Sequence, residues 1–466
     1  MIRHVRVFVT TLLVLAMGCA GPRDSGASRP LPSVRDVPAA AGGAAAAASA
    51  PAPAPKLPGR PQLPDYLAYA ALKSPRLEAS FLRWKAALEK IPQVKALPDP
   101  RFTYQYYIQE VETRVGPQRN SVQLTQMFPW FGTLRLLGTA ATHEAEAARQ
   151  RYEADKLELF HEVKAAYCEY YYLARAVAIT RDNVRLLKHL ESVVRARYRV
   201  GAAGHPDLIR CQVELGKLED RRASLQDMRR PAMAQLNAAL GLPADRALPW
   251  PDRLEPPAAP APDAQLVGWA TQANPRLKAL DAEIARADQQ VQLARKRYWP
   301  DVTVGLTWIE TGHAMNARPP FDDGKDPLMA MVSVNVPIWR GKLDASVRQA
   351  RWRHLAAVYD RADRSRRLAA EVKRAAYDHR DAQRKVDLYG RVLIAKADES
   401  LKATEAAFRA GKATFTDLID AQRIGLEFRL THERALTDRA SRQSRLEMLI
   451  GRPLPPARSA AHPAKP

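Results

Sequence analysis

The longest pattern along the chain is that of an amphipathic helix. Between about Thr133 and Arg199, apolar side chains recur every three or four residues, which places them on one face of a single helix. A second run of this kind extends from about Lys342 to Arg409. At ~1.5 Å per residue each helix would be roughly 100 Å long. A helix of that length would extend well beyond a compact globular domain, so the pattern predicts extended helical hairpins.

Shorter amphipathic segments flank each long helix. We predict one helix before the strands of each half, over about 64–96 and 263–298. We predict another helix after each long helix, over about 207–240 and 417–450. At ~1.5 Å per residue each short helix spans roughly 50 Å. Two of them stacked end to end would therefore flank one long helix over its full length.

Strict alternation of apolar and polar residues predicts strands between the short and the long helix of each half. Phe102, Tyr104, Tyr106 and Ile108 alternate with polar residues, and the same pattern recurs over 302–308. Return strands are predicted over 121–128 and from 331. Strands of about ten residues with one apolar face are typical of outer-membrane barrels. Because four strands cannot close a barrel, several chains must contribute strands.

The chain is internally duplicated. Residues 210 positions apart match in the region of the long helices, for example Gly201 with Gly411 and Asp207 with Asp417. We assign a first repeat to 63–241 and a second repeat to 263–453. A Pro-rich linker, 242–262, joins them. The fold class is therefore mainly α with a small β part.

The two ends of the chain have different compositions from the repeats. Residues 1–18 have the basic and apolar segments of a signal peptide, and the LAMGC segment resembles a lipoprotein box with Cys19 as the acylated residue. Ordinary cleavage near Gly18 remains the alternative. Residues 19–62 are rich in Ala and Pro, so we expect a disordered tether, and we expect a disordered tail over 454–466.

The net positive charge of the chain is also compatible with a second class of protein. The 466 residues include 72 Lys and Arg against 50 Asp and Glu, a net charge of +22 that would suit a basic coiled-coil structural or nucleic-acid-binding protein. The export signal and the alternating strands argue against that class. No HExxH, GxSxG or GxxxxGK segment occurs, and three cysteines without CxxC spacing make no zinc motif. We therefore expect no enzyme activity, no cofactor and no metal site.

Three segments carry a resemblance to a known family. They are FPWFG ending at Gly132, VPIWRG ending at Gly341, and FRAGKATFTDLIDAQ over 408–422. With the doubled order of elements, they make residues 63–453 resemble the TolC-like outer-membrane efflux channels. The resemblance implies a homotrimer with a 12-stranded barrel in outer-membrane lipid and a periplasmic α-barrel. It further implies a passive exit duct that docks on a periplasmic adaptor and an inner-membrane pump, without nucleic acid.

The exported substrate stays open between metal ions and drugs. The turn FPWFGTL looks more like the turns of the metal-efflux channels in this family than those of the drug-efflux channels. No metal-binding cluster in the sequence supports that choice.

The turn between the long helix and the last helix of each half contains the candidate functional residues. Gly201 and Gly411 suit the left-handed conformation that ends a helix, and turn chemistry alone explains both. Asp207 and Asp417 fall in the first turn of the next helix, where a negative charge suits the helix dipole. By resemblance these turns are also adaptor contacts, carried by Gly201, Asp207, Gly411 and Thr414.

Asp420 and Arg423 do not follow from the duplication, because their counterparts are Arg210 and Val213. They lie three residues apart on one helical face. By resemblance to the family's DAQR segment they carry ionic contacts that close the periplasmic mouth, and we place Asp417 with them in a predicted gate. A plain surface ion pair is the alternative.

Overall fold

The computed structural model describes residues 57–201, 204–254, 261–314 and 321–455. Cys19 and the signal peptide lie outside the described residues, as do most of the predicted tether and of the predicted tail. In the part of the chain that is described, no helix is both long and apolar enough to cross a membrane.

The elements of the two halves follow the same order. The first half contains α1 (Leu63–Lys73), α2 (Pro75–Lys95), β1 (Arg101–Val111), β2 (Gln118–Phe128), α3 (Thr133–Arg199), α4 (His205–Asp227) and α5 (Arg229–Leu240). The second half contains α6 (Asp263–Ala273), α7 (Pro275–Lys296), β3 (Val302–Thr311), β4 (Leu328–Val334), α8 (Arg340–Leu388), a π-helical turn (Tyr389–Leu393), α9 (Ile394–Arg409) and α10 (Phe415–Ile450). The predicted fold class is confirmed, with long helices and four strands.

The first helix of each half is broken, where the sequence predicted one continuous helix. Ser74 and Asn274, each followed by proline, adopt extended backbone with ψ of 117° and 120°. A proline ring disfavours the α-region for the residue before it, so each helix ends there and a new one begins. The Asn274 side chain accepts hydrogen bonds from the N–H groups of Arg276 and Leu277 and so caps α7.

The two long helices also differ from each other. Helix α3 is continuous over 67 residues, as predicted, whereas its counterpart is interrupted by the π-turn between α8 and α9. Gly390 lies in this turn, and a Cβ placed there would stand 2.6 Å from Nε2 of His432 on α10. The π-turn therefore brings its backbone against the His432 ring of the neighbouring helix, and a larger residue at 390 would require that ring to shift.

The four strands form one antiparallel sheet in the order β1-β2-β3-β4. One row of cross-strand partners is apolar, Tyr104, Val122, Trp308 and Leu328. The adjacent row, Thr103, Gln123, Thr307 and Met329, lies on the opposite and more polar face. Within the described residues, the outer edges of β1 and β4 have no strand partner. The sheet thus has one apolar face and two open edges.

Three hydrophobic clusters support the helices. Midway along α3 in the first half, Tyr66, Tyr167, Tyr170 and Leu236 are buried between α1, α3 and α5. Part of the predicted linker joins this cluster, since the Tyr170 hydroxyl donates to the carbonyl of Leu248 at 3.0 Å. The second half has an equivalent cluster on α6, α7, α8 and α10. The third cluster joins both halves near the turns after α3 and α9.

Both cysteines in the described part of the chain are buried and neither forms a disulfide. Cys168 lies on α3 and Cys211 on α4. Burial raises the pKa of the Cys211 thiol to about 11.

Candidate functional site: the helical tips

Each half turns at a glycine with a left-handed backbone. We call residues 198–207 the first tip, of which 202 and 203 are not described, and residues 408–417 the second tip. Gly201 has φ 74° and Gly411 φ 76°. A Cβ at either position would meet no atom within 4 Å, so the requirement for glycine is conformational and not steric. The predicted helix-ending glycines are confirmed.

A pair of rings closes each turn, at positions that correspond across the duplication. Phe408 packs on Phe415 with ring centroids 5.9 Å apart, and Tyr198 packs on His205 at 5.7 Å. The rings of the second tip are buried, whereas Tyr198 is 43% exposed. The sequence analysis missed this contact, although the 210-residue offset places the four residues in register.

Helix α10 begins with a reciprocal cap made by Thr414 and Asp417. The Asp417 N–H donates to the Thr414 hydroxyl at 3.2 Å, and the Thr414 N–H donates to the Asp417 carboxylate at 2.8 Å. These two interactions define a capping box. Hydrogen bonds from the hydroxyl and the N–H of Thr414 hold the pKa of Asp417 below its usual range. The carboxylate of Asp417 is therefore engaged at the start of its own helix.

Helix α4 begins without such a cap. Gly204 occupies the N-cap position and has no side chain to accept a hydrogen bond. Asp207 lies in the first turn, where its charge suits the helix dipole. Among the described residues, no hydrogen bond or ion pair to its carboxylate is found. The duplicated aspartates thus have different surroundings.

Arg423 joins α10 to α4. Its guanidinium contacts the Glu214 carboxylate through two nitrogens, Nη2 at 2.5 Å and Nε at 3.3 Å, while Asp420 lies 3.4 Å from Nη1. Lys217 adds a second cation to Glu214 at 3.0 Å. Burial raises the pKa of Glu214, but the hydrogen bonds from Arg423 and Lys217 outweigh it, and the net shift is downward. The structure thus places Arg423 beside Asp420 on its own helix and, more closely, beside Glu214 on α4.

Glu214 was missed by the sequence analysis. The duplication aligns Arg423 with Val213, and nothing in that alignment indicates which residue of α4 faces Arg423. The contact depends on how α4 and α10 are placed relative to each other, and three-residue spacing within one helix carries no such information. The helical periodicity of the sequence could only have assigned Glu214 to the polar face of α4, without indicating its partner on α10.

A buried polar contact lies behind this ion cluster. Gln422, 3% exposed, donates from Nε2 to Oδ1 of Asn183 on α3 at 3.0 Å. The Asn183 amide in turn donates to the carbonyl of Ile179. Because an unpaired buried amide is costly, this contact fixes the register of α10 against α3 next to Arg423.

Comparison with known proteins identifies the class. The outer membrane efflux protein family matches residues 67–242 and 266–452, and the chain belongs to that family. The family resemblance and the outer-membrane location predicted from the sequence are thereby confirmed. The alternative, a basic coiled-coil structural or nucleic-acid-binding protein, finds no support.

Curated relatives are distant in sequence. The chain is 23% identical to the cobalt-zinc-cadmium resistance protein CzcC of Cupriavidus metallidurans over 375 residues, 78% of this chain and 83% of CzcC. It is 24% identical to the outer membrane protein OprJ of Pseudomonas aeruginosa, over 63% of this chain and 61% of OprJ. It is 27% identical to CyaE of Bordetella pertussis, over 43% of either chain. The matches thus span less than two thirds of OprJ and of CyaE.

Solved structures agree with the fold. The outer membrane protein VceC of Vibrio cholerae has a TM-score of 0.69 at 17% identity, over 84% of this chain and 96% of that one. CusC has a TM-score of 0.72 at 16% identity, over 84% of this chain and 92% of that one. At these identities the likeness shows the fold alone.

Proposed function

We propose that this chain is the outer-membrane channel of a tripartite efflux system. As a homotrimer it forms a passive exit duct, and an inner-membrane pump drives export through a periplasmic adaptor. One observation carries the proposal: a four-stranded sheet with one apolar face and two open edges continues into long helical hairpins, in a chain of the outer membrane efflux protein family.

The open edges of the sheet support the trimer. In lipid, every strand needs a partner on both sides, and four strands are too few to curl into a closed barrel. Three copies supply twelve strands if β4 of one copy pairs with β1 of the next. The apolar row that includes Tyr104 and Trp308 then contacts lipid, together with Phe102 and Val304. Thr103, Gln105, Thr303 and Thr307 line the lumen.

Arginine substitutions on neighbouring positions test the barrel. Tyr104→Arg near the middle of the apolar face should destabilise the inserted trimer by about 2–4 kcal/mol, and Gln105→Arg far less. The measurement is the urea midpoint of the trimer purified from outer membranes. Equal losses at the two positions would contradict the assignment of the faces.

We further propose that the contacts of Arg423 hold the periplasmic mouth closed. Arg423 links α10, which follows the second tip, to α4, which follows the first tip, and its partner Glu214 has only 15% of its side chain exposed. Removing the arginine leaves that carboxylate half-buried with Lys217 alone. The gate then consists of Asp420, Arg423 and Glu214, while Asp417 acts on it by fixing the start of α10.

Conductance of the purified channel in planar bilayers tests the gate. Arg423→Ala and Glu214→Gln should each raise the conductance, and Asp420→Ala should raise it less, because its contact is longer and exposed. Arg195→Ala is the matched control, since that arginine pairs with Glu191 on its own helix. A reversed pair, Glu214→Arg with Arg423→Glu, should restore part of the closed state. Single variants that conduct like the parent would show that the closing contacts lie elsewhere.

The adaptor contact is proposed at both tips, at Gly201, Asp207, Gly411 and Thr414, of which Asp207 is half-buried and the other three are exposed. The carboxylate of Asp207 supports this, because it lies beside the first turn of α4 without a partner among the described residues. Asp207→Lys should impair export in cells while the conductance of the isolated channel stays that of the parent. A loss of both would instead indicate a damaged channel.

We propose metal ions as the first substrate class to test. CzcC is a cobalt-zinc-cadmium resistance protein, and its match covers 78% of this chain. Deletion of the gene should lower growth on cobalt, zinc or cadmium salts, and the intact gene should restore growth. Sensitivity to drugs without sensitivity to metals would point to the other substrate class.

Acylation of Cys19 remains a proposal that rests on the sequence. Mass spectrometry of the mature N-terminus tests it directly. Cys19→Ala should reduce membrane residence without abolishing it, because one lipid anchor adds to a barrel that is already inserted.

A further inference from the structure

The two ends of the sheet carry opposite charge. At the end where strands meet helices, the stretches 93–101, 128–136, 294–302 and 334–342 contain eight Lys or Arg against two Asp. At the other end, the described residues of 110–120, 310–314 and 321–328 contain three Lys or Arg against six Asp or Glu. The sheet therefore has a cationic end beside the helices and a weakly anionic end away from them.

The eight cations at the helix end form what we call the junction collar, Lys95, Arg101, Arg135, Arg295, Lys296, Arg297, Arg340 and Lys342. Seven of them are exposed, and Lys296 is half-buried. None forms an ion pair with another residue in the described ranges. At the opposite end, in contrast, Arg114 pairs with Asp322 and Arg119 with Glu110. The charge of the collar is thus left uncompensated within one chain.

Of the acidic residues near the collar, Asp99 is exposed without an ion pair among the described residues, and Asp301 and Asp344 are engaged in other contacts. Asp301 accepts a hydrogen bond from the N–H of Trp130 at 2.9 Å. The Tyr298 hydroxyl donates to Asp344, at the start of α8. Both contacts tie strand ends to helix starts, and neither carboxylate reaches a collar cation. The collar therefore requires anions from outside the chain to balance it.

Aromatic side chains lie at the same level as the collar. Trp130 stacks on Trp299 with centroids 5.1 Å apart and planes within 8°, while Phe131 and Trp339 are 83% and 73% exposed. Exposed aromatic rings beside cations at the end of an apolar sheet face are typical of the boundary between hydrocarbon and headgroups. The position favours lipid over an acidic protein as the source of the anions.

We propose that the junction collar binds the phosphate groups of anionic glycerophospholipids in the leaflet on the helix side of the sheet. The proposal rests on insertion of the sheet into a bilayer, as put forward above. A bilayer containing phosphatidylglycerol supplies a dense layer of phosphates at the level where the apolar face ends. Each exposed Lys or Arg near such a surface adds attraction, and the attraction weakens with salt.

Quenching of tryptophan fluorescence by brominated lipids measures this preference. The full-length protein is reconstituted into bilayers in which either phosphatidylglycerol or phosphatidylcholine carries brominated acyl chains, at a constant ratio of the two lipids. Trp308, placed towards lipid on the apolar face, reports insertion, and a Trp308→Phe variant leaves Trp130, Trp299 and Trp339 to report contact at the collar. We expect phosphatidylglycerol to be preferred at least about threefold at low salt, and the preference to fall in 1 M salt.

Three collar residues can be changed with little risk to folding. No hydrogen bond, ion pair or ring contact joins the side chain of Arg101, Arg135 or Lys342 to other residues of the described ranges. The triple variant R101Q/R135Q/K342Q should lose at least half of the preference for phosphatidylglycerol. The matched control R221Q/R230Q/K402Q also removes three exposed charges without ion pairs among the described residues, on α4, α5 and α9. It should retain the preference.

The outcomes separate this proposal from the proposed function. Equal quenching by both lipids, or equal losses in the collar and control variants, would overturn the lipid preference and leave the channel intact. Absence of quenching by either lipid would overturn insertion and the collar proposal together. If inorganic phosphate at the same phosphate concentration abolished the preference, the collar would be a site for free anions and not for a lipid surface.

Discussion

The two tips share a left-handed turn glycine and a ring pair but are held in place to different degrees. Both turn at a glycine with φ near +75°, and both place a ring pair across the turn. The second tip adds a buried ring contact and a reciprocal cap, while the pair of Arg423 with Glu214 joins the helices that follow the two tips. The first tip has an exposed ring pair and glycine at its N-cap.

The difference teaches what a duplication preserves. Backbone conformation is set by one residue, so a glycine in each copy suffices to keep the turn. A cap or a buried ring contact requires a particular residue at two or more positions, and these residues differ between the two copies. We therefore expect the first tip to open locally at a lower free energy than the second, as hydrogen exchange of the intact protein would measure.

Removal of the buried ring should have the largest effect. Phe415→Ala deletes a side chain that is 2% exposed and should lower the opening free energy of the second tip by about 3–5 kcal/mol. The corresponding His205→Ala in the exposed first tip should cost less than about 1 kcal/mol. Hydrogen exchange of the tip amides measures both. Similar costs would show that the tips are equally well packed.

The turn glycines should respond equally. Gly201→Ala and Gly411→Ala each force a side chain into the left-handed region, at about 1–3 kcal/mol. Because neither Cβ would meet another atom within 4 Å, no steric difference separates the two positions. The same exchange measurement applies, with Gly216→Ala in the middle of α4 as a control that should not destabilise. Clearly unequal costs would mean that the turns differ in conformation.

Loss of the cap should affect one tip only. Thr414→Ala removes the acceptor for the Asp417 N–H and should destabilise the start of α10 by about 1 kcal/mol. Gly204 makes no such contact in the first tip, so Gly204→Ser offers the reciprocal experiment, in which a hydroxyl is gained. Amide exchange at the first turn of each helix distinguishes the results. An unchanged second tip in Thr414→Ala would show that the cap contributes nothing measurable.

The smallest effect is a dependence on pH. The pKa of Asp417 is lowered in the folded protein, so its contribution is present above the unfolded value of about 3.9 and is lost as pH falls through the folded value. Exchange protection at the second tip should therefore weaken in acid. Asp417→Asn should remove that dependence, and a variant that keeps it would assign the effect to another group.

The sequence predicted long-range order better than contacts between helices. The bounds of α3 were predicted without error, because an apolar stripe of many turns leaves little freedom. The alternation in the strands fixed which residues share a face of the sheet. The breaks at Ser74 and Asn274 were readable from the following prolines but were overlooked. Each of these features is determined within a single element.

Features that depend on two elements were not predicted. Glu214 faces Arg423 because of the relative placement of α4 and α10, and the π-turn around Gly390 accompanies the close approach of His432. Neither relation is encoded in a local period or in a motif. The duplication did not help to find the partner of Arg423, because the residue that corresponds to Arg423 in the first repeat is the uncharged Val213.

The burial of the two cysteines has a practical consequence for chemistry on this protein. Thiol–disulfide exchange and maleimide labelling both proceed through the thiolate, and the raised pKa of Cys211 keeps that form scarce at neutral pH. Cys168 is shielded by burial as well. A cysteine introduced at an exposed tip residue would therefore react far faster than either. Spin labels or fluorophores could then follow the motion of each tip without prior removal of these two thiols.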